Sequence, residues 1–116
     1  MGIKELPDNV LFVELPPSGP AIANDLKAVN ETISKECNKD IIIDFSRVEI
    51  VNSANISNLL ILYNLLKDSG RRLLLCKVAT VTKCIFVVAG LDTVFEFVDD
   101  QSAALEVVKQ RTSECH

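Results

Sequence analysis

The sequence predicts an α/β fold: a single domain built on a mixed, mainly parallel five-stranded sheet with an antiparallel edge and about four helices. Three observations lead there. The run Ile41-Ile42-Ile43-Asp44-Phe45 is short, β-branched at its start and free of polar alternation, which suits a strand buried on both faces of a parallel sheet. After an opening hairpin, strand-like runs and amphipathic stretches alternate as β-β-α-β-α-β-α-β-α, the pattern of a layered sheet with covering helices. The 116 residues, 48% hydrophobic and 24% charged, can bury one core without staples and cannot supply a second domain. The domain is expected over 1–110, with a frayed tail over 111–116.

Ile3 to Leu6 reads as an edge strand, turned back by Pro7-Asp8-Asn9 onto Val10 to Leu15. Pro16-Pro17-Ser18-Gly19-Pro20 ends that strand, because proline donates nothing to a ladder. From Ala21 to Cys37, Ile22, Leu26, Val29, Ile33 and Cys37 share one helical face, and Asn24, Lys27, Glu31 and Lys35 share the other. The central strand then runs through Arg47 to Val51 into Asn52 and Ser53, both of which suit a helix start. The helix that follows ends at Lys67-Asp68-Ser69-Gly70, with Gly in the usual C-terminal position. Arg72 to Cys76 returns as a strand, and Thr80 is the expected cap of a helix from Val81 to Ala89, stopped by Gly90. Val94 to Val98 is the last strand, and Asp99 or Asp100 caps a helix through Ala104, Leu105 and Val108. Right-handed crossovers place the loops 16–20, 47–53 and 77–80 together outside the carboxyl ends of the parallel strands, where ligands and partners bind in such sheets.

Composition narrows the function classes. No apolar run approaches the roughly 18 residues of a membrane-spanning helix. A net charge of −4, one Tyr and no Trp offer neither a basic footprint nor stacking surface, so nucleic acid is not an expected partner. Leu6 stands where a myristoylation signal needs Ser or Thr, and Cys115 is misplaced for prenylation. Cys37, Cys76, Cys84 and Cys115 form no Cys-x-x-Cys pair, and the single His is the last residue. Neither a metal site nor a disulfide framework is indicated, and the cysteines read as buried small hydrophobes of a reduced, cytoplasmic protein. His116 is either native or the stub of a tag. A hydrolase using Ser53 lacks the histidine base of a triad. Asp44 lacks the early acidic pair of a phosphoaspartate receiver, since the preceding strand ends in Glu14-Leu15-Pro16.

Pattern alone makes Asn52 and Ser53 ordinary helix caps. At about 100° per residue, Ser53, Ser57, Asn64, Lys67 and Asp68 fall on one arc of the central helix, with Leu60 inside it and Ile61 beside it. Leu60 is therefore either an unremarkable exposed residue or an anchor for a partner.

Ile41-Ile42-Ile43-Asp44-Phe45-Ser46, Val48-Glu49-Ile50-Val51-Asn52-Ser53-Ala54-Asn55, Ser69-Gly70-Arg71-Arg72-Leu73, Gly90-Leu91 and Phe95 together resemble a STAS domain, the fold of bacterial anti-sigma-factor antagonists. The resemblance covers nearly the whole chain. It implies a non-enzymatic transcription regulator without cofactor, which binds a serine-kinase anti-sigma factor and is released when that kinase phosphorylates Ser53. ATP and Mg²⁺ would belong to the kinase, and a Ser/Thr phosphatase would reset the serine. Asn52, Ala54 and Asn55 complete the implied switch loop, and the helical arc that begins at Ser53 makes Ser57, Leu60, Ile61 and Asn64 the expected partner surface. Two positions depart from the family pattern: Asn52 replaces an Asp, and Asn55 replaces a Gly. The first removes a carboxylate beside the phosphoacceptor, and the second is expected to obstruct close approach of a kinase. The resemblance also extends to stressosome scaffolds and to the small soluble subunit of lipid-transport complexes, which bind a constant partner without a phosphorylation cycle.

Overall fold

The structure, a computed structural model, describes residues 2–17, 19–35 and 38–114, the last six of these as helical backbone alone. Cys37, Cys115 and His116 lie outside the described residues. The elements are β1 (Gly2–Leu6), β2 (Val10–Glu14), α1 (Gly19–Lys35), β3 (Asp40–Asp44), α2 (Ser53–Asp68), β4 (Leu73–Cys76), α3 (Thr80–Val88), β5 (Glu96–Val98) and α4 (Gln101–Glu114).

The sheet order follows the chain, β1-β2-β3-β4-β5, with β1 antiparallel to β2 and every other pair parallel. Asp8 and Asn9 close the hairpin at φ 66° and 60°. Asp and Asn are the side chains that tolerate this left-handed conformation best. β3 is the middle strand, as its apolar run predicts, and Ile41, Ile42 and Ile43 are all fully buried.

The pleat divides the core in two. Leu11, Val13, Ile41, Ile43, Leu73 and Leu75 face one side and pack with α1, α2 and Phe86 of α3. Val10, Phe12, Ile42, Leu74 and Cys76 face the other and pack with Ala104 and Val108 of α4. Sequential strand order with right-handed crossovers requires that α1, α2 and α3 share a face, which leaves α4 to cover the reverse alone.

The stops of α2 and α3 are glycine motifs. Gly70 at φ 71° donates to the Lys67 carbonyl while Arg71 donates to that of Leu66. Gly90 at φ 76° and Leu91 do the same to Val87 and Phe86. These paired bonds satisfy the last carbonyls of α2 and α3 at a backbone angle that side chains resist.

Several boundaries differ from the sequence reading. Thr80 is the first residue of α3 and not its cap; Ala79 holds the N-cap position without a side-chain bond. Asp100 caps α4, its carboxylate accepting from the Ala103 amide at 2.8 Å. Val94 and Phe95 are not strand: both amides donate to the Leu91 carbonyl, and the turn thus formed drops Phe95 into the core. The backbone of α4 remains helical to Glu114, since residues 109–114 contain neither Gly nor Pro.

Candidate functional site

The carboxyl edge of the parallel strands is held together by main-chain bonds that run from strand to strand. Leu15 N–H donates to the Asp44 carbonyl at 3.1 Å, and Phe45 N–H donates to that of Cys76 at 3.0 Å. The loop from β3 to α2 is fastened at three places. Glu49 N–H donates to the Pro17 carbonyl at 2.7 Å, which ties it to the loop before α1. Val48 and Val51 are buried under it. At its start the Asp44 carboxylate, itself buried, accepts from the Ser46 amide at 2.9 Å and from the Ser46 hydroxyl at 3.0 Å. Arg47, Glu49 and Ile50 are exposed between these fastenings.

At the end of this loop the chain enters α2 through a reciprocal pair of asparagines. Asn55 N–H donates to Asn52 Oδ1 at 2.9 Å, and Asn52 N–H donates to Asn55 Oδ1 at 3.0 Å. This is a capping box in which Asn replaces the usual Glu or Gln at the third helical position. The cap therefore belongs to Asn52, and Ser53, read from sequence as a second cap, is the first helical residue. Its side chain is exposed, as are those of Asn52 and Ala54. The capping pair occupies the Asn52 and Asn55 amides, while those of Ser53 and Ala54 lie in the first turn at the positive end of the helix dipole. An anion on Ser53 would sit in that field.

Asn55 corrects an expectation. Its side chain is fully buried, at 0% exposure, and turns inward to complete the box. It does not project from the surface where it would block an approaching protein.

Further along α2 the exposed row is Ala54, Ser57, Ile61, Asn64 and Asp68, spaced by three and four residues. Ile61 is 51% exposed, whereas Leu60 is only partly exposed and packs against the main core. The apolar residue presented to solvent here is Ile61. The opposite face carries Asn58 with Leu59, Leu62 and Leu66. Asn30 of α1 donates through Nδ2 to the Asn58 carbonyl at 3.1 Å, and Asn58 Nδ2 donates to the Ala54 carbonyl at 2.9 Å. Buried asparagines thus fix the register of α1 against the start of α2.

Beside this surface, at the ends of β4 and β5, Lys77, Val78, Lys83, Phe97, Val98 and Asp99 line a depression of about 130 Å³. Small-molecule sites enclose roughly 300 to 1,000 Å³, so this depression does not suit a nucleotide. Among the described residues, no group of three or more His, Cys, Asp or Glu side chains is arranged to hold a metal ion. No helix among them is long and apolar enough to cross a membrane.

Cys76 and Cys84 are both free thiols, but only Cys76 is buried. Cys84 is exposed, contrary to its reading as a buried hydrophobe, because it lies on the face of α3 turned away from Phe86. Burial raises the Cys76 thiol from 9.0 to about 11, the Asp44 and Asp100 carboxylates adding to the effect and Lys77 opposing it. The expected result is that a thiol reagent at pH 8 modifies Cys84 in the native protein and leaves Cys76 unmodified until the chain is unfolded, read by peptide mass after quenching. The pH dependence has a definite sign. A folded-state pKa above the unfolded value contributes stability that is complete below about pH 9 and is lost as the pH rises through about 11. Cys76→Val should flatten the alkaline limb of the stability curve over that window.

Comparison with known proteins follows the same lines. A family model described as STAS domain matches residues 3–104. No curated protein matches the sequence at a significant level. Among solved structures, a variant of RsbS from Moorella thermoacetica superposes with a TM-score of 0.82 at 17% identity, covering 97% of each chain. A sulfate transporter family protein from Wolinella succinogenes gives 0.80 at 23%, covering 95% of this chain and 93% of its own. The anti-sigma factor antagonist SpoIIAA in its unphosphorylated form gives 0.79 at 15%, covering 94% and 96%. At these identities the superpositions establish the fold, and the family model, spanning most of the sequence, establishes more: the chain belongs to the STAS domain family.

Proposed function

We propose that the protein is an anti-sigma-factor antagonist that binds a serine-kinase anti-sigma factor through the start of α2, and that phosphorylation of Ser53 ends the complex. The observation that carries this reading is the position of Ser53. It is exposed at the first turn of α2, outside the Asn52–Asn55 capping pair, at the carboxyl edge of the sheet. Ser46, the other serine of this loop, is held to the Asp44 carboxylate.

The domain tolerates a phosphate at this point, since free amides and the helix dipole stabilise an anion there. The switch therefore lies in the contact. A group of about −2 charge with three acceptor oxygens, forced into a closed interface, must be desolvated and repels acidic neighbours. The protein supplies no catalytic group; the kinase contributes ATP and Mg²⁺, and a Ser/Thr phosphatase removes the phosphate. Ser57, Ile61 and Asn64 extend the partner surface along the exposed row of α2, with Leu60 contributing at its margin.

Two substitutions separate surface from core. Ile61→Asp should change stability by no more than about 0.5 kcal/mol, as expected of an exposed site, while weakening partner binding. Leu60→Ala should cost on the order of 1 to 2 kcal/mol, less than the roughly 2 to 5 of a fully buried leucine. Denaturant titration of both variants, beside binding measured with the purified kinase, checks the assignment.

A second reading is favoured by Asn52, which lacks the carboxylate that the family carries beside its phosphoacceptor. In that reading the same face binds a constant partner in a stressosome-like scaffold or a transport complex. Asn52→Asp decides between them. Asp caps a helix as well as Asn does and can accept the same Asn55 amide, so any effect is on transfer and not on the fold. A raised phosphorylation rate at unchanged partner affinity identifies a slow switch. If a cognate kinase modifies neither form while both bind equally, the constant-partner reading holds.

A further inference from the structure

The amino edge of the sheet, at the far end of α2 from Ser53, gathers three cations close together in sequence: Lys67, Arg71 and Arg72. They are not equally committed. Arg72 belongs to the fold: its guanidinium holds the Glu96 carboxylate through Nε and Nη2, and its Nη1 donates to the Val107 carbonyl at 3.4 Å. Arg71 is held at one point. Its Nε lies 3.5 Å from Asp40, a buried carboxylate that also accepts from the Arg72 amide at 2.8 Å. Among the described residues no hydrogen bond engages the two terminal nitrogens of Arg71, and Lys67 meets only the Tyr63 ring, its ammonium 5.9 Å from the centroid.

These two uncommitted cations border one depression of about 310 Å³, between the end of α2, the turn at Gly70 and the approach to β5. Tyr63, Leu66, Leu73 and Val94 supply its apolar lining. Small-molecule sites begin at roughly 300 Å³, so this one admits a compact ligand and no nucleotide. Charge selects the ligand further. Glu96, the one carboxylate in the lining, is neutralised by Arg72, and Asp40 lies behind Arg71 and offsets it in part. Asp68 follows Lys67 in sequence but lies on the exposed row of α2, outside the lining. The excess of positive charge beside an apolar lining suits a single anionic group on a small apolar body. A guanidinium anchored from behind presents its planar fork to a carboxylate or phosphate, and a lysine adds a point charge.

We propose that this depression binds a small organic anion, a carboxylate or phosphate monoester on a compact apolar body, through Arg71 and Lys67, with Asp40 positioning Arg71. The site is separate from Ser53 and does not depend on its role.

Titration of the isotope-labelled full chain with benzoate and with phenyl phosphate, followed by amide NMR, tests this. The expected result is saturable shifts at Gly70, Arg71, Arg72 and Val94. At least one of the two probes should bind about tenfold or more tighter than benzyl alcohol, which lacks the charge, and than inorganic phosphate, which lacks the apolar body. The tighter probe names the anionic group. Lys67→Gln, at an exposed side chain, should keep the melting temperature and weaken that probe by about tenfold, the scale of one charge-assisted hydrogen bond, and Lys67→Arg should restore most of the loss. Arg71→Lys keeps a cation beside Asp40 but removes the fork, and should weaken binding by a similar factor. Shifts that do not saturate, shifts centred on Ser53 and Ala54, inorganic phosphate binding as tightly as both probes, or affinity indifferent to Lys67→Gln and Arg71→Lys would each overturn the proposal.

Discussion

Phe86→Ala is expected to destabilise the domain by about 3 to 5 kcal/mol, the range for removing a buried aromatic ring. Phe86 is fully buried and its ring meets three others: Phe95 at 5.6 Å, Phe97 at 5.7 Å and Phe45 at 6.4 Å between centroids. Two of these contacts are edge-on and the third is tilted, geometries aromatic pairs prefer, so the loss exceeds that of area alone. Phe86 is also the large anchor of α3, whose only other buried side chain is Thr82. Truncation leaves a cavity that the short turn holding Phe95 cannot close without moving. Denaturant unfolding should show a lower midpoint at an unchanged slope. A loss below about 1 kcal/mol would mean that α3 is not docked as described.

The second large effect is on binding. One phosphate on Ser53 should weaken the proposed complex with a serine-kinase anti-sigma factor by about 100-fold or more, since like-charge and desolvation penalties in an interface reach several kcal/mol. The same phosphate should leave the melting temperature unchanged or raise it, because it sits at the start of α2 among unpaired amides. That divergence distinguishes a switch in the contact from a switch that unfolds the loop. Ser53→Asp should weaken binding only in part, as one carboxylate has half the charge and a different oxygen geometry. Ser53→Ala should bind normally and change stability by no more than about 0.5 kcal/mol, because Asn52 and not Ser53 holds the cap. Isothermal titration with each form, alongside a thermal melt, measures both quantities.

Much of this fold was legible because local chemistry and global topology agree. The β-branched run of Ile41 to Ile43 has no polar face to expose, so it belongs at the sheet centre. Gly70 and Gly90 stand where only a residue tolerant of positive φ can end a helix and turn the chain. Asp100 and Asn52 offer short acceptors immediately before helical runs.

The site was legible in position and less so in orientation. α2 carries apolar residues around most of its circumference, from Ile56 through Leu66, so its periodicity does not fix which side faces the sheet. The buried face is marked instead by Asn55 and Asn58, polar residues that a hydrophobic pattern assigns outward. Asn55 turns inward because its amide oxygen accepts from the Asn52 N–H, although its Nδ2 is buried without a hydrogen-bond partner. The signal was present as Asn-x-x-Asn at a helix start, a capping box without the customary Glu or Gln. Once that pair sets the rotation, Leu60 turns toward the core and Ile61 toward solvent. Cys84 is exposed for a related reason: α3 is apolar on more than one side, with Val81, Val87 and Val88 also exposed, so composition does not tell which side packs inward. Val94 and Phe95 have strand propensity, but the turn closed onto the Leu91 carbonyl overrides it.

The assignment of Ser53 as the regulated residue is tested most directly by intact-mass and peptide mapping of the protein purified from its own cells, repeated after incubation with a serine kinase of the anti-sigma type, ATP and Mg²⁺. The account predicts a single phosphate, carried by Ser53, and none on the Ser53→Ala variant. A chain that stays unmodified with its cognate kinase, or one whose phosphate lies on Ser46, Ser57 or Ser69, would contradict it.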